Sequence, residues 1–535
     1  MTLTTCALLA LALSLRSASA QPSGPRAVEV EVEAGRLAGS ASASVSRFFG
    51  IPFAAPPIRF NAPEPARAWE GVYDATKHKP ACVQKFSYPE DRRNRSMQWF
   101  NTPPPPAGES EDCLYLDIYA PAGAAPGCKA VMFWLFGGGF SFGSGSLPQY
   151  DGSSFAADQD VVVVAPNYRT NVFGFPGSPE KPESEQNLGF LDQRLALDWV
   201  QRNIHAFGGD PNRVTLFGES AGSGSVEILV NNPPRPVPFA GAIMQSGQSS
   251  IALSDRSSAA SWKKLTKAAG CETDGALECM RAVPADKLKA LVEHGQLKFA
   301  PIHDGNTTYT STGRVDRLSS TEGSSKIARV PVMIGSDADD GGPFVYGMTD
   351  AGATLKRLLP AGAAGVVDKI LSAYPLDGLG LGPVNKQLSA IFGDFAFTCP
   401  AKVVAEDSAS VGIPTWRYFF DAGFANTEAY PGSGAWHSSE IGLVYGTYPR
   451  EGATAYQAAV SRAMQKAWAD FAKDPFAGPG WDPVPRVSVF GGGVRARAGP
   501  ANSSAHPVME VGKAGHIDRR CFLYKPIYKA AMRSR

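Results

Sequence analysis

Five short apolar runs constrain this chain more than any other feature: VMFWLF at 131–136, VVVVAPN at 161–167, VTLF at 214–217, AGAIMQS at 240–246 and VPVMIGS at 330–336. Runs of this length, apolar throughout rather than at alternate positions, suit strands covered on both faces, as in a mostly parallel sheet. Helical spacing fills the gaps between them. In residues 186–209, Leu188, Leu191, Leu195, Trp199 and Ile204 recur at near-helical intervals, and residues 455–475 do the same and stop before Pro475. Strands alternating with helices predict an α/β architecture. Upstream, VEVEVEAGRLAG at 28–39 alternates apolar and acidic residues, which suits a half-exposed strand. The chain shows no internal repeat and no dividing linker, so one large domain with long loop insertions is expected over residues 21–535.

Residues 1–20 read as a secretory leader: an apolar run from Ala7 to Leu15, then Ala18-Ser19-Ala20 in A-x-A form, with cleavage after Ala20. No second apolar run of spanning length follows, so a soluble, secreted protein is expected. A 44% hydrophobic and 19% charged composition is that of an ordinary globular protein. The net charge of +1 gives no electrostatic case for nucleic acid or an anionic membrane as the main partner. Beyond the leader stand seven cysteines, an odd number that leaves at least one unpaired or bridging chains. Cys271 and Cys279 are close enough in sequence to clip a short loop, and Asn94, Asn306 and Asn502 head N-x-[ST] sequons, candidate glycan sites in a secreted chain.

Two serines fit the G-x-S-x-G pattern of a nucleophile, Ser141 in GFSFG and Ser220 in GESAG. With 56 glycines in the chain such a match arises by accident roughly once, so context must separate them. A nucleophile elbow needs a strand, a sharp turn of small residues and then a helix. Ser220 has VTLF before it and AGSGSVEILV after it; Ser141 is followed by a run of turn formers without helical period. The glycines of FGGGF at 136–140 instead suit a loop whose backbone N–H groups approach an ester carbonyl as it becomes an oxyanion. In the order serine, acid, histidine, the bases that follow Ser220 are His294, His303, His437, His506 and His516, of which His437 in GAWHSSE is claimed by no apolar period. The acid is open among Asp337, Asp339 and Asp340, in DADDGG at the end of an apolar run.

Together these blocks resemble the type-B carboxylesterase and cholinesterase family. FFGIPFAAPPIRF at 48–60, EDCLYLDIYAP at 111–121, NYRTNVFGFP at 167–176, residues 187–222 and GAWHSSEIGLVYG at 434–446 carry the resemblance over nearly the whole mature chain, with phrasing most like secreted fungal members. It implies an alpha/beta-hydrolase fold, a mostly parallel sheet flanked by helices, and a small-molecule ester as substrate. It makes Ser220 the nucleophile, His437 the base and Asp340 the acid, with oxyanion donors at Gly138, Gly139 and Ala221. Ser246 would support the triad, and Glu219 would lie near the alcohol side of the pocket. Acyl transfer of this kind needs neither metal nor organic cofactor.

The resemblance also pairs Cys82 with Cys113 and Cys271 with Cys279, adds Cys399 with Cys521, and leaves Cys128 free. The loop closed by Cys82 and Cys113 would be the lid of the lipases, but here it is polar and proline-rich and lacks the apolar face of an interface-activated lid. Pro103 stands where cholinesterases place a choline-binding tryptophan, Pro343 stands where they have a pocket aromatic, and Trp99 would substitute only in a rearranged loop. An aromatic cage for a quaternary ammonium is therefore not expected. The same loop holds Arg92, Arg93 and Arg95, whose guanidinium groups at a gorge mouth would favour esters with free carboxylates, such as polycarboxylate side-chain esters of fungal toxins. The rival readings are a lipase-like esterase for long acyl chains and a non-catalytic binding member of the same fold.

Overall fold

The apolar runs become the middle of one large sheet. In this computed structural model, which describes residues 26–250, 257–272, 275–358, 364–374, 376, 384–494 and 506–533, the leader and the Asn502 sequon lie outside the described residues. The strands are β1 (Arg26–Val32), β2 (Gly35–Ala41), β3 (Val45–Pro52), β4 (Val72–Asp74), β5 (Ala81–Cys82), β6 (Glu109–Ser110), β7 (Tyr115–Pro121), β8 (Lys129–Leu135), β9 (Val162–Pro166), β10 (Gly209–Glu219), β11 (Gly241–Gln245), β12 (Val332–Asp337), β13 (Thr415–Ala422), β14 (Arg486–Val494) and β15 (Met509–Lys513). The main sheet runs β1-β2-β3-β7-β9-β8-β10-β11-β12-β13-β14-β15, with β4 beside β2, while β5 and β6 pair separately.

From β9 across to β14 every neighbouring pair is parallel. Antiparallel strands finish both sides of that block. The expected strands coincide with the fully buried ones: every residue of β9, β11 and β12 is buried. The alternating VEVEV segment is the edge strand β1, mostly exposed along its length. Residues Leu188–Asn203 and Ala455–Lys473 form the two long helices read from the sequence. The second begins at Thr454, whose hydroxyl accepts from Gln457 N at 3.0 Å, a cap for an otherwise unpaired N–H.

The chain leaves β8 to one side for β9 and reaches β10 on the other side, so the strand order reverses around β8. Crevices in α/β sheets open at such a reversal, outside the carboxyl ends of the strands. The aromatic block Trp134, Phe217 and Tyr445 packs below this point, with ring centroids 4.8 Å apart for Trp134–Phe217 and 5.4 Å for Trp134–Tyr445. Burying side chains of this size contributes roughly 1.5–3 kcal/mol each, which makes the strand ends a rigid platform.

Two expectations need correction. Cys128 is disulfide-bonded, not free. Cys82–Cys113, Cys271–Cys279 and Cys399–Cys521 are all formed. The stretch Val384–Ser410 is also long and apolar enough, by composition, to cross a membrane, although the sequence suggested no such run beyond the leader. It is broken by a π turn at Asp394–Thr398, 61% of its apolar window is buried inside the protein, and Cys399 ties it to the C-terminal segment. Its hydrophobicity belongs to the core.

Candidate active site

β10 ends at Glu219 and the helix Ala221–Asn231 begins two residues later, leaving Ser220 alone to make the turn. It does so at φ 56° and ψ −120°, a conformation that costs a non-glycine residue about 1–3 kcal/mol and that the surroundings must enforce. They do so by close packing. A Cβ at Gly222 would stand 1.9 Å from the carbonyl oxygen of Leu135, and one at Gly247 would stand 2.1 Å from that of Ser220. The Ser220 N–H is held by the Gln245 carbonyl at 2.8 Å.

Beside this turn the FGGGF loop leaves β8. Gly138 and Gly139 adopt φ values of 98° and 60°, open to glycine without strain. A Cβ at Gly137 would meet Glu219 Oε2 at 2.5 Å and Ser220 Cβ at 3.1 Å, so the loop lies directly against the serine. Phe136 anchors its base by stacking on Tyr168 at 4.1 Å, and its carbonyl accepts the Tyr168 hydroxyl at 2.6 Å. Ala221 opens the helix after Ser220, a position whose N–H has no carbonyl one turn back. Gly138 and Gly139 line the same cavity as Ser220 and His437, about 640 Å³ in volume.

The three candidate acids separate by what they touch. Asp337 is fully buried, and burial, then the charges of Glu440 and Asp340, push its carboxyl far above the usual range. Asp339 fastens two loops: its N–H donates to the Ala435 carbonyl and its Oδ2 accepts from Ala435 N, both at 2.9 Å. That clamp brings Asp340, the next residue on one loop, against His437, two residues past Ala435 on the other. Asp340 Oδ1 sits 2.7 Å from His437 Nδ1. Its Oδ2 accepts from Ser246 Oγ at 2.9 Å and from Asp337 N at 2.8 Å, so every oxygen of this buried carboxylate is engaged. Ser246 is thus packed against Asp340.

His437 Nε2 lies 3.1 Å from Glu219 Oε1, and that oxygen accepts from Ser438 Oγ at 2.7 Å. Burial works against a charged imidazole here, but the charge of Glu219, then the hydrogen bond and charge of Asp340, outweigh it and raise His437 above its ordinary value. Burial likewise raises Glu219 well above the usual carboxylate range, opposed by His437. Each group thus bears on the protonation of the other.

Ser141 does not make an elbow. It lines the cavity and its carbonyl accepts from Lys85 N at 2.8 Å, tying the glycine loop to the neighbouring segment. The disulfide-closed loop contains a helix, Glu90–Phe100, with no fully buried residue. Its last turn brings Trp99 into the cavity wall, 5.2 Å from Tyr346 and 5.4 Å from Tyr430. Trp99 is therefore a pocket residue, because helix formation turns it inward where a plain loop would not. Of the three loop arginines, Arg92 and Arg95 line the cavity. Arg93 is not among the lining residues: it pairs with Glu293 at 3.3 Å and covers the Phe86 ring. Pro343 lines the pocket, but its neighbour Phe344 supplies an aromatic ring, 5.0 Å from the His437 ring, and Phe397 lies 4.6 Å from it on a turn with no sequence signal. Sequence reasoning missed Lys85, Phe344, Tyr346 and Arg357 as wall residues. Asn94 and Asn306 are exposed. Among the described residues no group of three or more histidine, cysteine or acidic side chains is arranged to hold a metal ion.

The chain matches the carboxylesterase family over residues 26–485. It is 33% identical to the acetylcholinesterase of Bungarus fasciatus over 465 residues, which is 80% of this chain and 75% of that relative. It is 30% identical to the cholinesterase of Mus musculus over 464 residues, again 80% of this chain and 75% of the relative. An elbow serine on a mostly parallel sheet, facing a glycine loop, agrees with that match: this chain belongs to the carboxylesterase family.

Proposed function

We propose that the protein is a secreted serine carboxylesterase that works through an acyl-enzyme, with Ser220, His437 and Asp340 as its triad. The observation that carries this reading is the 2.7 Å contact of Asp340 with His437 Nδ1, in a cavity that His437 shares with Ser220 and the glycine loop. Asp340 fixes the tautomer that leaves Nε2 free to take a proton. Ser220 attacks the ester carbonyl as His437 accepts its proton, and the N–H groups of Gly138, Gly139 and Ala221 hold the oxyanion. The imidazolium then protonates the departing alcohol. Water, deprotonated by the same histidine, attacks the acyl-serine and releases the acid. The three disulfides formed between described residues favour an oxidising compartment, in keeping with residues 1–20 acting as a leader and with glycan attachment at Asn94 and Asn306.

The relatives are named for choline esters, and Trp99 with Tyr346 offers an aromatic wall. That wall is already taken by a cation, since Arg95 lies 5.7 Å from the centre of the Tyr346 ring. A choline ester is not the substrate this pocket favours. The polar helix Glu90–Phe100, without a buried face, equally gives no support to an interface-activated lipase. Hydrolysis of 4-nitrophenyl valerate by the purified protein and by Ser220→Ala tests the proposal. Loss of turnover in the variant is expected, and full activity there refutes Ser220 as nucleophile.

A further inference from the structure

Ester hydrolysis at Ser220 makes no use of the charge on the cavity wall. Lys85 and Arg92, both in the loop closed by Cys82 and Cys113, and Arg357, from a distant segment, line the cavity. Among the described residues, none of the three forms an ion pair with a carboxylate. Arg357 Nη2 donates to the Met348 sulfur at 3.5 Å, a weak acceptor for a guanidinium. Arg95, by contrast, is matched by Asp91 at 3.0 Å. The remaining acid in the wall, Glu219, is engaged by His437 and Ser438.

Lys85 is the most telling of the three. It is half-buried beside the oxyanion loop, with its backbone N–H on the Ser141 carbonyl at 2.8 Å. Burial depresses its ammonium below the ordinary lysine value, with Glu293 only partly restoring it. Withdrawing a cation from water without a carboxylate against it costs stability, a cost that an anionic group of the ligand would offset. Arg92 and Arg357 are exposed and act at longer range. In a cleft, cations of one sign focus their field and raise the local concentration of anions.

We propose that this pocket selects esters bearing free carboxylate groups, with Lys85 as the principal contact and Arg92 and Arg357 as further ones. The proposal rests on the esterase reading and adds a substrate class to it. Three cations in one wall match the charge of a polycarboxylate better than that of a single carboxylate. The same wall repels cationic esters.

Two matched pairs of esters test it with the full-length enzyme. 4-Nitrophenyl hydrogen glutarate against 4-nitrophenyl valerate places the carboxylate on the acyl side, and 4-acetoxybenzoate against phenyl acetate places it on the alcohol side. In at least one pair kcat/KM for the anionic member should exceed that for the neutral one by about tenfold at low ionic strength, and salt should shrink the ratio. Lys85→Gln should lower that ratio roughly tenfold, as expected for a desolvated charge-assisted hydrogen bond. Arg357→Gln should lower it roughly threefold, the scale of an exposed charge. Arg93→Gln removes as much charge outside the pocket and should leave the ratio within about twofold. Citrate should inhibit competitively, more weakly in Lys85→Gln. Ratios at or below one in both pairs, or a ratio indifferent to Lys85→Gln, overturn the proposal. Turnover of the neutral esters that depends on Ser220 keeps the esterase reading intact in either case, whereas turnover that survives Ser220→Ala defeats that reading instead.

Discussion

Replacing Gly222 by alanine tests whether the elbow is held by backbone contact or merely tolerates small residues. The added methyl would stand 1.9 Å from the Leu135 carbonyl oxygen, 2.6 Å from its carbon and 2.7 Å from the Phe136 oxygen. All three are main-chain atoms at the end of β8, so no side chain can rotate away. Restoring even a 3.0 Å approach requires the helix Ala221–Asn231 and β8 to part by about 1 Å. The glycine loop continues from that strand end, so its N–H groups would shift relative to Ser220 by a similar amount. A displacement of about 1 Å in a catalytic constellation costs on the order of a hundredfold in rate, and overpacking of this kind costs about 1–3 kcal/mol of stability. Gly224→Ala is the control, since its methyl meets nothing nearer than Phe140 Cζ at 3.9 Å. There alanine should be neutral or stabilise the helix by about 0.5–1 kcal/mol. The assay is kcat/KM on a neutral chromogenic ester with urea unfolding of the same preparations. A Gly222→Ala enzyme within about threefold of the parent in rate, and equal in unfolding midpoint, would refute the argument.

Asp340→Asn should reduce kcat by roughly a thousandfold or more with the fold intact by circular dichroism, because the amide can leave His437 in the wrong tautomer; a loss below about tenfold would exclude Asp340 as its partner. Glu219→Gln should move the acidic limb of the kcat/KM profile to lower pH. His437 acts as base only when neutral, Glu219 and Asp340 raise its pKa, and activity is lost as pH falls through that raised value. Removing a charge 3.1 Å away should shift the limb by more than about one unit, at an effective dielectric constant near 20, and a limb that stays within about 0.3 unit counts against the coupling. Cys271→Ser with Cys279→Ser opens a loop with a sequence separation of 8, so urea unfolding should report a loss of about 2–3 kcal/mol while kcat holds.

Much of the site was legible in the sequence, and for local reasons. An elbow needs its strand, turn and helix to be contiguous, so the setting of Ser220 could be told from that of Ser141 by reading some ten residues either way. The glycine loop was legible because only glycine suits backbone packed this closely against a serine. The choice among Asp337, Asp339 and Asp340 was not local. It depends on the clamp between Asp339 and Ala435, 96 residues away, which turns consecutive carboxylates to different partners: one onto a backbone N–H, the next onto the imidazole. Only the family resemblance pointed to Asp340.

The pocket wall was the least legible part, and its errors share a cause. DRRNR reads as one basic run, but on the helix Glu90–Phe100 successive side chains point about 100° apart. Arg92 and Arg95, three residues apart, face the cavity together, whereas Arg93 turns away from it to the buried Glu293. The same rotation brings in Trp99, four residues after Arg95. A cluster in sequence was therefore split by the helix, while Lys85 and Arg357, 272 positions apart and unremarkable in their own segments, were brought into the same wall. The Ser220 turn and the glycine loop were readable because each is set at a single strand end; the selectivity proposed for the pocket depends on charges that only the folded chain assembles.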